Sequence, residues 1–250
     1  MPSNRLEGQT IVLTGSVPTL SVKQFIEENG GLCAVFPLIK TQEYHSPNDA
    51  HQLASLHSYD WLIFTSQNAV QAFMEKCQRA EINIQGLRCK VASVGTKTTE
   101  LLEKYGLHVD FMPSIFSADV FVKEFPHVSK ASESKLFIRG SLAKQTIHEG
   151  VPNVTEWTVY ETCANATTIQ PFIELLEREQ TIVIFASPSA VDVFAKHIAP
   201  IVGWSRIRAA AIGHITADAL ERLGVAVYVQ PKVYTMQAVV EEIILLEESS

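Results

Sequence analysis

The same long pattern occurs twice in this sequence, and a chain that repeats itself in this way builds two copies of one structural unit. Phe64-Thr65-Ser66-Gln67-Asn68-Ala69-Val70-Gln71-Ala72-Phe73 returns as Phe185-Ala186-Ser187-Pro188-Ser189-Ala190-Val191-Asp192-Val193-Phe194, with the aromatic, serine and apolar positions aligned. Downstream, Val94-Gly95-Thr96-Lys97-Thr98 corresponds to Ile212-Gly213-His214-Ile215-Thr216. A Leu/Glu-rich helix, a glycine (Gly106, Gly224), a short apolar strand and a proline (Pro113, Pro231) follow in both copies. Each copy opens with an apolar run of strand length, at 61–64 and 182–185, then a polar turn and a helix with apolar residues at i, i+3 and i+4. Strands that alternate with helices imply a parallel sheet covered on both faces. The expected fold class is therefore α/β, with two similar doubly wound parallel-sheet domains joined by a two-stranded linker.

A further unit also appears twice. Ile11-Val12-Leu13-Thr14-Gly15-Ser16 is similar to Leu136-Phe137-Ile138-Arg139-Gly140-Ser141, and each leads into a helix and a final strand. In the middle of the chain this unit follows the long repeat, whereas after the C-terminal repeat the sequence ends, so the N-terminal copy has to complete that domain. Domain 1 is then discontinuous, 1–37 plus 164–250, and domain 2 is 45–155. The two crossings fall at 38–44 and 156–163, the second carrying the β-branched and aromatic alternation Glu156-Trp157-Thr158-Val159-Tyr160-Glu161-Thr162. Two such strands make a slim hinge, and the expectation is a working cleft between halves that move. The polar stretch 129–134 reads as a loop.

Composition narrows the function. With 46% hydrophobic residues in 250, the chain can bury a sizeable core without staples. It has no signal-peptide pattern and no apolar stretch of membrane-spanning length, so the expected location is cytoplasmic. Cys33, Cys77, Cys89 and Cys163 are scattered and show no zinc or disulfide framework. The net charge of −7 disfavours sequence-independent nucleic-acid binding. No dinucleotide fingerprint, phosphate loop, zinc-protease motif or nucleophile elbow is found, and His214 on its own reads as a turn residue. The expected partners therefore exclude nucleic acid and membrane.

In open parallel sheets, ligands bind at the carboxyl ends of the strands, where turns lead into helix N-termini. The repeated polar motifs all fall at that edge: Ser66, Gln67 and Asn68; Gly95, Thr96 and Thr98; Arg139, Gly140 and Ser141; Ser187, Pro188 and Ser189; Gly213 and Thr216; and Thr14-Gly15-Ser16. Serine and threonine at such turns commonly serve only as N-caps. The same signature at equivalent turns of both halves instead points to sites for carboxylate or phosphate, because helix starts offer free amides and partial positive charge.

Taken together, Phe64-Thr65-Ser66-Gln67-Asn68-Ala69-Val70, Val159-Tyr160-Glu161-Thr162, Phe185-Ala186-Ser187-Pro188-Ser189-Ala190-Val191 and Ala211-Ile212-Gly213-His214-Ile215-Thr216-Ala217 resemble the uroporphyrinogen-III synthase family over nearly the whole chain. The resemblance implies a lyase that uses neither cofactor nor metal. Such an enzyme closes the linear tetrapyrrole hydroxymethylbilane to uroporphyrinogen III, with loss of water and inversion of ring D. Loss of the hydroxyl leaves an azafulvene, and attack at the substituted position of ring D gives a spiro intermediate that fragments and recloses. It further implies a monomer that receives its carboxylate-rich substrate from the preceding pathway enzyme. The family's linker tyrosine corresponds to Tyr160, as an acid for the departing hydroxyl, and its substrate-contacting turns to Ser66, Thr98, Ser187 and Thr216. Two positions depart from the family pattern. Leu13-Thr14-Gly15-Ser16 lacks the arginine that often follows the first strand, and Gly213-His214 stands where Gly-Pro is common. Arg139, Lys97, Lys144 and Lys232 are candidates to compensate. The alternative from another class is a non-catalytic two-domain binding module or sensor for an acidic small molecule; a nucleotide-dependent α/β enzyme is disfavoured by the missing phosphate loop.

Overall fold

A computed structural model describes residues 5–15 and 20–248. The chain starts in unit 1 (Met1–Lys40 with Cys163–Ser250), builds unit 2 (Thr41–Thr162), and returns to finish unit 1. The first pass lays down β1 (Thr10–Leu13), α1 (Leu20–Glu28) and β2 (Leu32–Val35). Next come β3 (Ile39–Glu43), α2 (Asp49–Ser55), β4 (Trp61–Phe64), α3 (Gln67–Arg79), β5 (Lys90–Ser93) and α4 (Thr96–Lys104). They are followed by α5 (Ala118–Glu124), β6 (Lys135–Gly140), α6 (Thr146–Gly150) and the long β7 (Val154–Ala164). The return adds α7 (Ala166–Arg178), β8 (Thr181–Phe185), α8 (Pro188–His197), α9 (Ala199–Val202), β9 (Ile207–Ala211), α10 (His214–Arg222), β10 (Val227–Val229) and α11 (Met236–Glu247).

Unit 1 holds a five-stranded sheet in the order β10-β9-β8-β1-β2, with every adjacent pair parallel. Unit 2 holds a second sheet, β3-β7-β6-β4-β5, in which β7, β6, β4 and β5 run parallel. The fold is thus the expected α/β type. In each sheet the strand that opens the repeat, β4 or β8, is an interior strand. Its successor lies on one side and the strand of the further unit, β6 or β1, on the other. The order therefore reverses between β4 and β6, and between β8 and β1, the kind of switch point where ligands bind in open α/β sheets. The stretches 38–44 and 156–163 fall in and around β3 and β7, which neighbour each other at the sheet edge.

The apolar runs form these strands because both faces are covered. Successive side chains point to opposite faces: Ile182 and Ile184 of β8 join Ile11, Leu13, Ile26, Val239 and Ile243, while Val183 and Phe185 join Val12, Phe172, Val191, Phe194 and Leu220. In unit 2, Leu62 and Phe64 of β4 pack with Phe73, Ile138 and Trp157, and Trp61 and Ile63 with Phe121, Phe125 and Phe137. The repeated phenylalanines become the same edge-to-face pair in both units, Phe64 with Phe73 at 5.3 Å and Phe185 with Phe194 at 5.5 Å between centroids.

One element differs from the sequence expectation. The short strand expected before Pro113 is reduced to an isolated bridge between Ala92 and Phe111. The Asp110 carboxylate accepts the Val91 amide at 2.9 Å, taking the place of a backbone acceptor, so unit 2 lacks the ladder that β10 forms with β9 in unit 1.

Candidate active site

In unit 2 the polar turns gather where β4, β6 and β7 end. Ser66 is the N-cap of α3, its Oγ accepting the Ala69 amide at 3.2 Å. The same oxygen lies 3.2 Å from the Tyr160 hydroxyl. Tyr160 is aimed by the ladder between β6 and β7. Arg139 faces Thr158 but Gly140 faces Tyr160, so Val159 is an extra residue that bulges the strand. Gly140 is required there: a Cβ at that position would stand 2.3 Å from Tyr160 Cζ. Beyond it, the Ser141 amide donates to the Tyr160 carbonyl at 2.9 Å, and the Ser141 Oγ accepts the Thr162 amide at 3.4 Å. Asn68 and Tyr160 line a cavity of about 120 Å³ together with Gln42, Glu43, Gln71 and Glu75. Gln67 donates to the Lys97 carbonyl at 3.2 Å, which links the starts of α3 and α4.

In unit 1 the equivalent edge is formed by β1, β8 and β9. The Thr14 hydroxyl donates to the Ile184 carbonyl at 2.9 Å and accepts the Ala186 amide at 3.2 Å, stitching the two strands across the switch point. Ser187 caps α8 by accepting the Ala190 amide at 3.3 Å, and Pro188 occupies the first turn, where its missing N–H costs nothing. Ser187, Pro188, Gly213, His214 and Tyr234 line a cavity of about 230 Å³, and Ser189 is half-buried in the first turn of α8. Ser16 lies outside the described residues.

The helix starts fall into two kinds, repeated in both units. α3 and α8 are capped by Ser66 and Ser187, and α5 and α11 by Ser117 and Thr235. α4 and α10 begin at Gly95 and Gly213, with no side-chain cap. A helix start without a side-chain cap leaves first-turn amides for an external acceptor, and a ligand carboxylate supplies one. Thr96, Lys97 and His214 are exposed in these first turns.

Several sequence candidates take a different place. Arg139 is buried; its guanidinium holds the Glu156 carboxylate and the Ala143 carbonyl, and its Nε donates to the Gly140 carbonyl at 3.3 Å. Glu156 is its diagonal neighbour on β7, so the arginine fastens two strands. Thr98 and Thr216 are largely buried in the first turns of α4 and α10. Lys144 and Lys232 are exposed. Among the described residues, Glu43, His45 and Asp49 are close enough to share a metal ion, but the Lys76 ammonium already sits 2.9 Å from Glu43 and 2.5 Å from Asp49. Sequence reading passed over Ile115-Phe116 and Val233-Tyr234, exposed at equivalent positions four residues or fewer after Pro113 and Pro231; extending the repeat past the prolines would have found them.

The model for the family described as uroporphyrinogen-III synthase HemD matches residues 21–241. The chain is 29% identical over 217 residues to the uroporphyrinogen-III synthase of Chlorobaculum parvum, covering 84% of this chain and 87% of that protein. It is 28% identical over 196 residues to the enzyme of Synechococcus elongatus, covering 74% of each. Among solved structures, uroporphyrinogen-III synthetase of Helicobacter pylori aligns with a TM-score of 0.65 at 20% identity over 95% of this chain and 99% of that one. A mutant uroporphyrinogen III synthase from Thermus thermophilus aligns with a TM-score of 0.63 at 16% identity, over 97% and 100%. These two likenesses speak to the fold, and the family match speaks to descent. Two permuted copies of one parallel-sheet unit, polar turns at both switch points and a family match from residue 21 to residue 241 lead to one assignment: the chain belongs to the uroporphyrinogen-III synthase family.

Proposed function

We propose that Tyr160 supplies the proton that releases water when this chain closes hydroxymethylbilane to uroporphyrinogen III. Family membership makes the chain a uroporphyrinogen-III synthase, a hydro-lyase of tetrapyrrole biosynthesis. The observation that supports Tyr160 in particular is its hydroxyl held 3.2 Å from Ser66 Oγ at the switch point of unit 2. When Ser66 donates to the phenol oxygen, the phenol hydrogen is left for a ligand. The phenol gives that proton to the departing hydroxyl, which leaves as water and generates the azafulvene. The substituted carbon of ring D attacks to give the spiro intermediate, which fragments and recloses. The proton shed as the last ring regains aromaticity restores the phenol. Positioning carries much of the task, because closure without inversion needs no enzyme-directed rearrangement. The carboxylates of the substrate match the Gly95 and Gly213 helix starts, which lack caps of their own. We further propose a cytoplasmic monomer that takes its substrate from the preceding pathway enzyme; the four free thiols fit a reducing compartment.

The test is to mix purified protein with freshly generated hydroxymethylbilane, oxidise the products and separate isomers I and III. Predominant isomer III without added cofactor is the expected result. Isomer I at the protein-free rate would sink the catalytic reading and leave a tetrapyrrole-binding module.

A further inference from the structure

Both units carry one more repeated feature at the carboxyl edge of the sheet. In unit 1, Pro231 is followed by Lys232, Val233 and Tyr234, then Thr235, the N-cap of α11; in unit 2, Pro113 is followed by Ser114, Ile115 and Phe116, then Ser117, the N-cap of α5. In each case the amide of the cap residue donates back across the aromatic, Thr235 to the Val233 carbonyl at 2.8 Å and Ser117 to the Ile115 carbonyl at 2.7 Å. The result is a three-residue turn centred on Tyr234 or Phe116. It holds an apolar pair out of the core: Val233 is 64% and Tyr234 53% exposed, Ile115 65% and Phe116 57%.

These pairs sit beside the glycines that start the helices without side-chain caps. A Cβ on Gly213 would stand 3.0 Å from Tyr234 Cγ, and one on Gly95 would stand 3.9 Å from Phe116 Cβ. The Tyr234 ring is steadied by His214, whose Nδ1 is 3.0 Å from the tyrosine hydroxyl. An apolar surface next to bare amides is complementary to a flat ring that carries carboxylate arms. The unit 1 cavity, about 230 Å³, falls below the roughly 300–1,000 Å³ usual for pockets that enclose a whole drug-sized ligand. It is of a size for one ring of a larger molecule.

We propose that Tyr234 with Val233, and Phe116 with Ile115, are ring-binding platforms. Each packs against the face of a pyrrole of the substrate while the acidic arms of that ring cap the neighbouring glycine-started helix. The proposal rests on the functional reading above and makes these four positioning residues, with no part in proton transfer.

Kinetics on the full chain test it, with wild-type formation of isomer III as the control. In active enzyme, Tyr234→Ala and Phe116→Ala should each raise the KM for hydroxymethylbilane about three- to tenfold, the range of an aromatic contact, with a smaller change in kcat and an unchanged circular dichroism spectrum. Tyr234→Phe, which keeps the ring and loses the His214 bond, should restore most of the affinity. Unchanged KM in both alanine variants would overturn the platforms while the functional reading stands. A second measurement needs no turnover: NMR of the Tyr234 and Phe116 ring signals during titration with a monopyrrole bearing acetate and propionate arms, and separately with glutarate. Shifts with the monopyrrole and none with glutarate support the platforms even if the wild type fails to make isomer III. Equal shifts with both, or none with either, reject them.

Discussion

The phenol proposed as proton donor, Tyr160, has to be held by one neighbour and left open toward its acceptor, and two small residues stand where they can arrange this. Ser66 fixes the hydroxyl, and Gly140 leaves room for the ring. Tyr160→Phe should keep the fold and lower the rate of isomer III formation by about 10²-fold, the lower end of general-acid effects; isomer-resolved kinetics beside thermal unfolding checks both parts, and full activity would remove Tyr160 from the mechanism. Gly140→Ala makes a different demand on the same ring. Its new Cβ, 2.3 Å from Cζ, has to push the tyrosine off its serine. The alanine variant should lose most of its turnover, and adding Tyr160→Phe to it should cost little more, because both changes remove one interaction. Additive losses in that double-mutant cycle would show that the glycine acts through something other than Tyr160.

The elements around this tyrosine are tied together through one lysine. Lys76 of α3 is 2% exposed, and its ammonium reaches Glu43 at the end of β3, the Tyr44 carbonyl at 2.8 Å, and Asp49 at the start of α2. Asp49 also accepts the indole N–H of Trp157 on β7 at 2.8 Å, so four elements share one charge cluster. Burial pushes the Glu43 and Asp49 carboxyls up. The bonds and charge of Lys76 outweigh it, with Arg79 at Glu43 and with Trp157 and the Ser46 amide at Asp49, and hold both carboxyls below their usual values. Groups lowered in this way stabilise the fold fully above their unfolded pKa values, about 4, and lose that contribution as pH falls through the folded ones. Wild-type stability should therefore decline in acid. Lys76→Met should cost about 3 kcal/mol or more at neutral pH by leaving Asp49 without a cation and Glu43 with Arg79 alone. Its stability should rise on mild acidification, opposite to wild type; denaturant unfolding at a series of pH values checks the sign, and parallel profiles would refute the assignment.

At the scale of the whole molecule, unit 1 is assembled from both ends of the chain, and its two segments meet where unit 2 is inserted. The Asn165 amide donates to the Leu38 carbonyl at 2.9 Å, and the Asn165 and Thr168 side chains both donate to the Pro37 carbonyl, at 3.0 and 2.8 Å. Unit 1 also has its own apolar clusters on both faces of its sheet. Replacing 41–162 by a short Gly/Ser linker should therefore leave a folded unit 1 with a single cooperative thermal transition and no isomer III activity. A product without cooperative unfolding would mean that unit 1 depends on the inserted residues for its stability.

Much of this architecture was legible in the sequence because its causes are local. Runs such as 61–64 and 182–185 are apolar throughout because both faces of a parallel strand are covered, and Ser66 and Ser187 end strands and cap helices through bonds to amides three residues on. The order of the repeats also required the chain to start and finish in one unit. Tertiary structure decided what depends on register and on partners distant in sequence. The extra Val159 in β7 aims Tyr160 at Ser66. The diagonal pairing of Arg139 with Glu156 takes a candidate ligand cation into the sheet, Asp110 replaces a strand by a bridge, and turns after Pro113 and Pro231 expose Phe116 and Tyr234 beside the glycines. Periodicity reports which face of an element is buried, but which residue stands opposite another is fixed only when strands pair, and that pairing decides where each polar group finds its partner.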